Sequence, residues 1–383
     1  MRKSSRSIGR ILIFAAVCVV FASLCGCGER FYTVYKTYYG VFGTNLDVLL
    51  VVSEKEDYSR AEKAAEEVRN LLLDLESKIS SNQSSFPESD ICRFNRLSEG
   101  EEIRVSAETA ELFGISERVY RETDGLFDPS VYYLTEYWGF GNYGKDSGIC
   151  RSKEKSDEEA VEELLKTVNF EGAELYEKED GYYLRKNAAA VDYEGKKLGL
   201  RLDFGGIGKG FAADKAAEFL GNSGYSGGYV SLGGSSIAVF GNPAEKSGEI
   251  TVNIVNPRAK ETGSNYYAST ELKDTGISSS GDYERFFVED GRRYCHIINP
   301  KTGFPISDGG IMSTVVGRNS AYGDALATVL LCMDEEKALS FVKGEFFASV
   351  TEGYSLVYPA EKGFSVRTNL ALTMVNDKYL CVK

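Results

Sequence analysis

Four glycines surround a single lysine near the middle of the chain, where a predicted strand runs into a predicted helix. The segment from Leu202 to Phe211 reads Leu-Asp-Phe-Gly-Gly-Ile-Gly-Lys-Gly-Phe. Glycine allows backbone N–H and C=O groups to approach a ligand closely, and a helix N-terminus supplies positive potential for a phosphate. The residues alone leave two interpretations open, a phosphate-binding bend or a tight turn with a solvated lysine.

The bend matches neither of the common nucleotide-binding loops. The Walker pattern requires Ser or Thr after Gly-Lys, whereas Gly210 follows Lys209 here. The G-x-G-x-x-G fingerprint of dinucleotide-binding domains cannot be registered on these glycines either. The sequence therefore does not predict a P-loop.

The N-terminus has the pattern of a lipoprotein signal peptide. Four basic residues and no acidic residue occur in the first ten positions, and an apolar run follows from position 11 to 24. This run is short for a permanent membrane span. Leu24-Cys25-Gly26-Cys27 then resembles a lipobox, which would make lipid-modified Cys27 the mature N-terminus.

We therefore expect a signal peptide over residues 1–26, a tether over 27–37 and a folded domain over 38–383. Two acyl chains on Cys27 would hold the protein durably at the cell membrane, on the extracytoplasmic face of a bacterial cytoplasmic membrane. The alternative is an ordinary secreted protein that is cleaved at small residues.

Charge and cysteine content exclude several classes of function. The formal net charge is −13, and removal of residues 1–26 would make it about −17, because that segment holds four positive charges and no negative ones. Nucleic-acid binding needs a basic footprint, so nucleic acid is not an expected partner. Five scattered cysteines remain beyond the anchor, and without C-x-x-C spacing they argue against a disulfide framework and a zinc site. They are Cys92, Cys150, Cys295, Cys332 and Cys381.

Hydrophobic periodicity predicts an irregular alternation of helices and strands. Helical spacing occurs over residues 58–79, 106–123, 153–166, 208–220 and 320–333, with Ser156 and Glu159 in capping-box spacing. Strand patterns occur over 38–52, as a meander over 172–204, and over 229–240 and 249–255, and a polar turn is predicted at 279–284. The predicted class is therefore α+β or mixed α/β, with largely antiparallel sheets flanked by helices and a two-lobed body.

Asp324 and Thr328 lie one turn apart in the last strongly predicted helix, so they share one face. A carboxylate and a hydroxyl are hard oxygen ligands that suit Mg²⁺, which fills the rest of its shell with water and substrate phosphates. Taken alone, such residues are more often a helix-capping acid and a hydroxyl bonded to its own backbone. The metal site is therefore a hypothesis that depends on the neighbouring groups.

His296 is the only histidine of the chain. One histidine cannot form a His-rich metal site, and no G-x-S-x-G motif accompanies it. It can still take a proton from a hydroxyl near neutral pH. The alternative is a satisfied or surface histidine.

Taken together, these segments closely resemble the bacterial ApbE-type flavin transferase lipoproteins, which move FMN from FAD onto a threonine or serine of a target protein. The resemblance extends from Gly40 to about Met333. Nine stretches carry it in order, at 41–44, 89–95, 123–129, 138–141, 203–211, 231–234, 280–284, 296–303 and 324–328. The resemblance implies that residues 38–383 form a flavin transferase domain with an ApbE-like fold.

The resemblance also implies roles for individual residues. Asp324, Thr328 and the backbone carbonyl of Gly206 would ligate Mg²⁺, and His296 would be the catalytic histidine. The flavin site would be lined by Phe42, Leu126, Phe127, Asp128, Asp203, Lys209 and Ile297. Two departures stand out, because the loop from Ser81 to Pro87 lacks the usual tyrosine and Asn299 stands where many members have aspartate.

The implied reaction is Mg²⁺-dependent transfer of FMN from FAD to a Thr or Ser hydroxyl with release of AMP. The implied acceptors are extracytoplasmic domains of membrane redox proteins. A Mg²⁺-dependent FAD pyrophosphatase, in which water replaces the protein hydroxyl, would use the same residues. A non-catalytic flavin-binding lipoprotein is the third interpretation, and the presence of Asp324, Thr328 and His296 argues against it.

Overall fold

The computed structural model describes residues 32–141, 148–151, 156–241, 249–307 and 309–382. The predicted signal peptide and Cys27 lie outside these residues. The helices are α1 (Tyr58–Ile79), α2 (Asp90–Asn95), α3 (Ala107–Glu122), α4 (Tyr132–Tyr137), α5 (Asp157–Leu165), α6 (Gly208–Asn222), α7 (Ala259–Thr262), α8 (Ser320–Leu331), α9 (Glu335–Phe341) and α10 (Glu345–Val350). None of the helices within the described ranges is long and apolar enough to cross a membrane.

Within the ranges given above, the strands form one large sheet and four small ones. They are β1 (Tyr32–Val41), β2 (Thr44–Val52), β3 (Glu102–Val105), β4 (Ala173–Lys178), β5 (Gly181–Lys186), β6 (Val191–Tyr193), β7 (Lys196–Leu198), β8 (Gly227–Leu232), β9 (Ser236–Gly241), β10 (Ile250–Val255), β11 (Tyr266–Leu272), β12 (Gly276–Gly281), β13 (Phe286–Glu289), β14 (Arg292–Cys295), β15 (Met312–Gly317), β16 (Gly353–Pro359), β17 (Phe364–Thr368), β18 (Thr373–Met374) and β19 (Tyr379–Val382).

The large sheet has nine strands in the order β1-β2-β8-β9-β12-β15-β16-β17-β19. Its neighbouring strands are antiparallel, except that β17 and β19 are parallel. The small sheets are β10-β11-β18, β3-β5-β4, β6-β7 and β13-β14. The predicted α+β class with largely antiparallel sheets is therefore confirmed.

Both faces of the large sheet are buried. On β2, Leu46, Val48 and Leu50 belong to one apolar cluster, whereas Leu49 and Val51 belong to another. This alternation is the two-residue period of a strand. The first cluster includes side chains of α1, α6 and α8, and the second includes side chains of β10 and β11. The sheet is thus covered by a helix layer on one face and by a small sheet on the other.

A third apolar cluster unites α4, α5 and the hairpins β6–β7 and β13–β14. Trp138, next to α4, stacks on Tyr294 of β14 with ring centroids 5.8 Å apart. Its indole N–H donates to the carbonyl oxygen of Gly303 at 2.8 Å. These contacts fix both ends of the segment that carries His296.

The five predicted helices are present, with bounds close to those expected. Ser156 and Glu159 form the predicted capping box of α5, and the side chain of Asn319 accepts a hydrogen bond from the N–H of Tyr322 at the start of α8. In the described part of the chain, the five cysteines beyond the predicted anchor form no disulfide.

Three predicted boundaries differ from the structure. β1 begins at Tyr32, so residues 32–37 belong to the sheet rather than to a tether, because Val34 is buried in the helix-layer core. The strand predicted over 229–240 is two strands, since Gly233 and Gly234 adopt φ angles of 63° and 70° and reverse the chain. The turn predicted at 279–284 is wrong for residues 279–281, which pair with β15 as part of β12.

Candidate active site

A cavity of about 1320 Å³ is lined by residues of the large sheet, the helix layer, β10 and the α4 region. Its wall includes every residue that was singled out for a metal, flavin or catalytic role. They are Phe42, Leu126, Phe127, Asp128, Asp203, Gly206, Lys209, His296, Ile297, Asp324 and Thr328. The fold therefore brings distant parts of the sequence to one site, and the roles of the residues stay predictions.

One wall of the cavity is the contact between α6 and α8. A Cβ atom on Gly210 would lie only 2.1 Å from the carbonyl oxygen of Ser320. Glycine is therefore required for this close helix approach. Gly210 stands where a Walker loop would have Ser or Thr. The same glycine allows the helices to come close enough for Lys209 and Asp324 to face each other.

Asp214 joins the same two helices. Its carboxylate accepts the backbone N–H groups of Ser320 at 2.9 Å and Ala321 at 3.0 Å, which are unpaired donors at the start of α8. Burial raises the pKa of Asp214 to about 6, although hydrogen bonds from Ser320 act in the opposite direction. Asp214 was missed from the sequence, although its helical spacing with Gly210 and Ala217 places it on the small-residue face of α6.

Asp324 is almost fully buried, with 2% of its surface exposed. Its Oδ2 accepts the N–H of Gly210 at 3.0 Å and lies 3.7 Å from the Nζ of Lys209. Burial raises the pKa of Asp324, and the positive charge of Lys209 opposes this shift. Because the Gly210 N–H, the Ser236 side chain and the ammonium of Lys209 offset only part of the desolvation of this carboxylate, the site is suited to a cation.

Thr328 lies one turn further along α8. Its Oγ1 is 3.1 Å from the Oγ of Ser280 on β12 and 3.4 Å from the carbonyl oxygen of Asp324. No group of three or more His, Cys, Asp or Glu side chains that could hold a metal ion occurs within the described ranges. The predicted ligands, which are the Asp324 carboxylate, the Thr328 hydroxyl and the Gly206 carbonyl, are hard oxygen donors of the kind that Mg²⁺ prefers, and all three residues line the cavity.

Phe42 forms the tip of the β1–β2 hairpin with a φ of 52°. Such a conformation is unfavourable for a residue with a side chain, by about 1–3 kcal/mol. The Phe42 N–H donates to the carboxylate of Glu76 at 2.9 Å, which holds the tip against the end of α1. Burial raises the pKa of Glu76, and this hydrogen bond lowers it. The structure thus fixes an aromatic ring at the cavity in a strained backbone position.

Asp203 is oriented on the cavity wall by two hydrogen bonds. Its Oδ1 accepts the N–H of Gly205 at 2.7 Å, and its Oδ2 accepts the hydroxyl of Ser81 at 3.0 Å. Ser81 begins the loop that lacks the tyrosine usual in ApbE-type proteins. At this point the loop contributes a hydroxyl that fixes an acidic side chain of the candidate flavin site.

His296 follows β14, and its backbone N–H donates to the carbonyl oxygen of Arg285 at 2.9 Å. Its Nδ1 is buried and has no hydrogen-bond partner among the described residues, and its ring lies edge-on to Phe140 with the ring centroids 6.5 Å apart. Burial lowers the pKa of His296 to about 4, and the charges of Arg285 and Lys209 shift it in the same direction. The imidazole is therefore neutral at pH 7, and the negative charge of a bound pyrophosphate would make it a stronger base.

Asn299 ties the segment that contains His296 to the end of α8. Its Oδ1 accepts the N–H of Lys301 at 2.9 Å, and its Nδ2 donates to the carbonyl oxygen of Cys332 at 3.3 Å. A carboxylate could make only the first of these bonds. The departure from aspartate at this position therefore adds a contact between the His296 segment and the end of α8.

Known proteins resemble this chain over most of its length. The sequence model of the ApbE family matches residues 42–349. The FAD:protein FMN transferase of Haemophilus influenzae is 26% identical over 324 residues, which cover 83% of this chain and 84% of that protein. The FAD:protein FMN transferase of Treponema pallidum is 28% identical over 344 residues, which cover 86% of this chain and 88% of that protein.

Solved structures have the same fold. The ApbE protein of Thermotoga maritima has a TM-score of 0.67 and 25% identity, and the match covers 90% of this chain and 97% of that chain. The apo form of the flavinyl transferase ApbE of Pseudomonas stutzeri has a TM-score of 0.67 and 22% identity, covering 88% and 95% of the two chains. Because the family's sequence model matches most of its length, this chain belongs to the ApbE family, and like its curated relatives it is a transferase.

Proposed function

We propose that this transferase moves FMN from FAD to a serine or threonine hydroxyl of a target protein, with Mg²⁺ and with release of AMP. The observation that carries the proposal is that Lys209, Asp324, Thr328 and His296 line one cavity. The cavity volume of about 1320 Å³ exceeds the roughly 300–1,000 Å³ typical of sites for drug-sized ligands, which suits a dinucleotide.

In the proposed reaction, the acceptor oxygen attacks the phosphorus on the flavin side of the FAD pyrophosphate. The bond from that phosphorus to the bridging oxygen breaks, and AMP leaves with this oxygen. His296 accepts the hydroxyl proton at a ring nitrogen, which its neutral state allows. Positioning of the hydroxyl beside the pyrophosphate supplies much of the rate in such phosphoryl transfers.

Asp324, Thr328 and the Gly206 carbonyl would hold Mg²⁺, which when bound neutralises charge on the pyrophosphate oxygens. Lys209 adds a second positive charge on the same wall, 3.7 Å from the Asp324 carboxylate. Asp324 therefore has two tasks, to bind the cation and to orient the lysine.

We further propose that the protein is anchored by lipid at Cys27 to the outer face of the cytoplasmic membrane. The lipobox-like sequence and the preceding charged and apolar segments support this location. The acceptors would then be extracytoplasmic domains of membrane redox proteins. Replacement of Cys27 by alanine should move the protein from the membrane fraction to the soluble fraction, and an unchanged membrane fraction would contradict the anchor.

The decisive experiment is mass spectrometry of candidate acceptors that are co-expressed with this enzyme. Modification should add the mass of FMN to a threonine or serine, and the His296→Ala variant serves as the matched control. Release of free FMN and AMP from FAD, without a modified acceptor, would indicate the pyrophosphatase. Retention of intact FAD over hours would indicate a flavin-binding lipoprotein.

A further inference from the structure

The β13–β14 hairpin has apolar side chains on both of its faces. Phe287 on the inner face stacks on Tyr294 with ring centroids 5.1 Å apart, within the cluster around Trp138. Phe286 and Val288 alternate with Phe287 and so point to the outer face, where they are 42% and 60% exposed. A two-stranded hairpin that is packed on one face usually presents polar residues on the other.

The outer face is continuous with the cavity. Arg285 and Phe286 line the cavity at the start of β13, and His296 follows the end of β14. The backbone bond from His296 to Arg285 closes the base of the hairpin. A macromolecule that presents a hydroxyl to His296 would therefore lie close to this hairpin.

A positively charged side chain, that of Arg293, also lies on the outer face. The guanidinium of Arg293 lies 3.9 Å from the centroid of the Phe286 ring. Its Nη1 donates to the carbonyl oxygen of Asp282 at 3.3 Å, and the Asp282 carboxylate is itself held by two bonds from Arg258, at 2.7 and 2.6 Å. These contacts order the arginine and the aromatic ring in advance, which lowers the entropy lost on binding a partner.

We propose that Phe286, Val288 and Arg293 form the docking surface for the extended segment of the acceptor protein that carries the hydroxyl. This inference rests on the proposed FMN transfer. Val288 is three residues beyond Arg285, the residue level with His296, and a strand rises about 3.3 Å per residue. The acceptor should therefore place an apolar side chain about 10 Å, or about three extended residues, from the modified hydroxyl. A lipid surface is the weaker occupant, because the net charge of −13 would oppose binding to an anionic membrane surface.

The test compares Val288→Asp with Leu380→Asp in the full-length enzyme. Leu380 is 59% exposed, like Val288, but it lies on β19 at the far edge of the large sheet. The probe is the acceptor domain that becomes modified in the co-expression experiment, assayed with enzyme in detergent solution. Val288→Asp should raise the KM for the acceptor about tenfold, leave kcat within twofold, and leave the affinity for FAD unchanged. Leu380→Asp should change none of these values.

The outcomes separate the two proposals. If wild-type enzyme modifies an acceptor and Val288→Asp has the KM of the wild type, the docking surface is refuted and the transfer reaction stands. If the KM effect appears only in membranes and not in detergent, the surface contacts lipid and the inference is overturned. If wild-type enzyme modifies no acceptor, both proposals fall. Val288→Ser, with FAD affinity as the measure of folding, shows whether the aspartate acts by misfolding, and it should give a smaller rise in KM.

Discussion

The two walls of the cavity are built differently. The helix wall, made of Lys209, Asp324 and Thr328 on α6 and α8, is closely packed, and its carboxylate is 2% exposed. The hairpin wall, made of Arg285, Phe286 and His296, has a phenylalanine that is 42% exposed and an imidazole nitrogen that no group in the described part of the chain hydrogen-bonds. The comparison indicates that the charged groups of the helix wall are held in fixed positions away from solvent, whereas part of the hairpin wall is open to solvent.

The largest effect is expected when the helix wall loses its carboxylate. Asp324→Ala should lower the rate of FMN transfer on the order of 10³-fold, because Lys209 and the proposed cation lose their common partner. Transfer rates measured over a range of Mg²⁺ concentrations test this, with Asp324→Asn as the isosteric control. An alanine variant that modifies its acceptor at the normal rate without added metal would refute the assignment.

One added methyl group should disrupt the packing between α6 and α8. Gly210→Ala places a Cβ atom 2.1 Å from the Ser320 carbonyl oxygen and should destabilise the protein by about 3 kcal/mol in chemical denaturation. Gly221→Ala in the same helix is the matched control, since no described atom outside the local backbone lies within 4 Å of the position of its Cβ. The control should be stabilised by about 0.5–1 kcal/mol. Equal stability of the two variants would show that α6 and α8 can separate without cost.

On the hairpin wall, His296→Ala should lower the rate of transfer about 10²-fold and leave FAD binding intact. The reason is that the ring is proposed to move a proton and not to hold the flavin. Flavin fluorescence titration measures binding, and acceptor modification measures transfer. A loss of FAD binding in this variant would instead indicate a structural role.

The buried state of the imidazole predicts a smaller effect that depends on pH. The pKa of His296 is about 4 in the folded protein and 6.5 in the unfolded chain. Only the unfolded chain therefore takes up a proton on this residue as the pH falls from 7 to 5. Wild type should therefore lose about 2 kcal/mol of stability over this range relative to His296→Ala. Denaturation at the two pH values measures the difference. A constant difference would show that water reaches the ring freely.

Elements with strong periodicity could be predicted from the sequence, whereas contacts between distant residues could not. The helix from Tyr58 to Ile79 has the same bounds in the structure as in the prediction. Asn95 shows the limit, because its amide pairs with both the N–H and the C=O of Leu202, just before Asp203. Nothing in the local pattern of either segment indicates that pairing, since it depends on how α2 packs.

The candidate site divides in the same way. Asp324 and Thr328 could be paired from their spacing in one helix, since helical geometry alone places them on one face. Gly206 and His296 could be assigned to the same site only from the family resemblance, because no periodicity links a bend, a helix and the end of a hairpin. The exposed outer face of the β13–β14 hairpin could not be predicted, because Phe286, Phe287 and Val288 form one apolar run and only the fold decides which of them is covered.

Asp214 has a consequence for attempts to transplant this chemistry. Asp214 of α6 caps the N-terminus of α8. A scaffold that received α8 alone would therefore have two uncapped N–H groups, and its Asp324 carboxylate would lack Lys209. The smallest portable unit is therefore the helix pair, and an engineer would have to graft both segments, separated by about a hundred residues of sequence, at a fixed spacing.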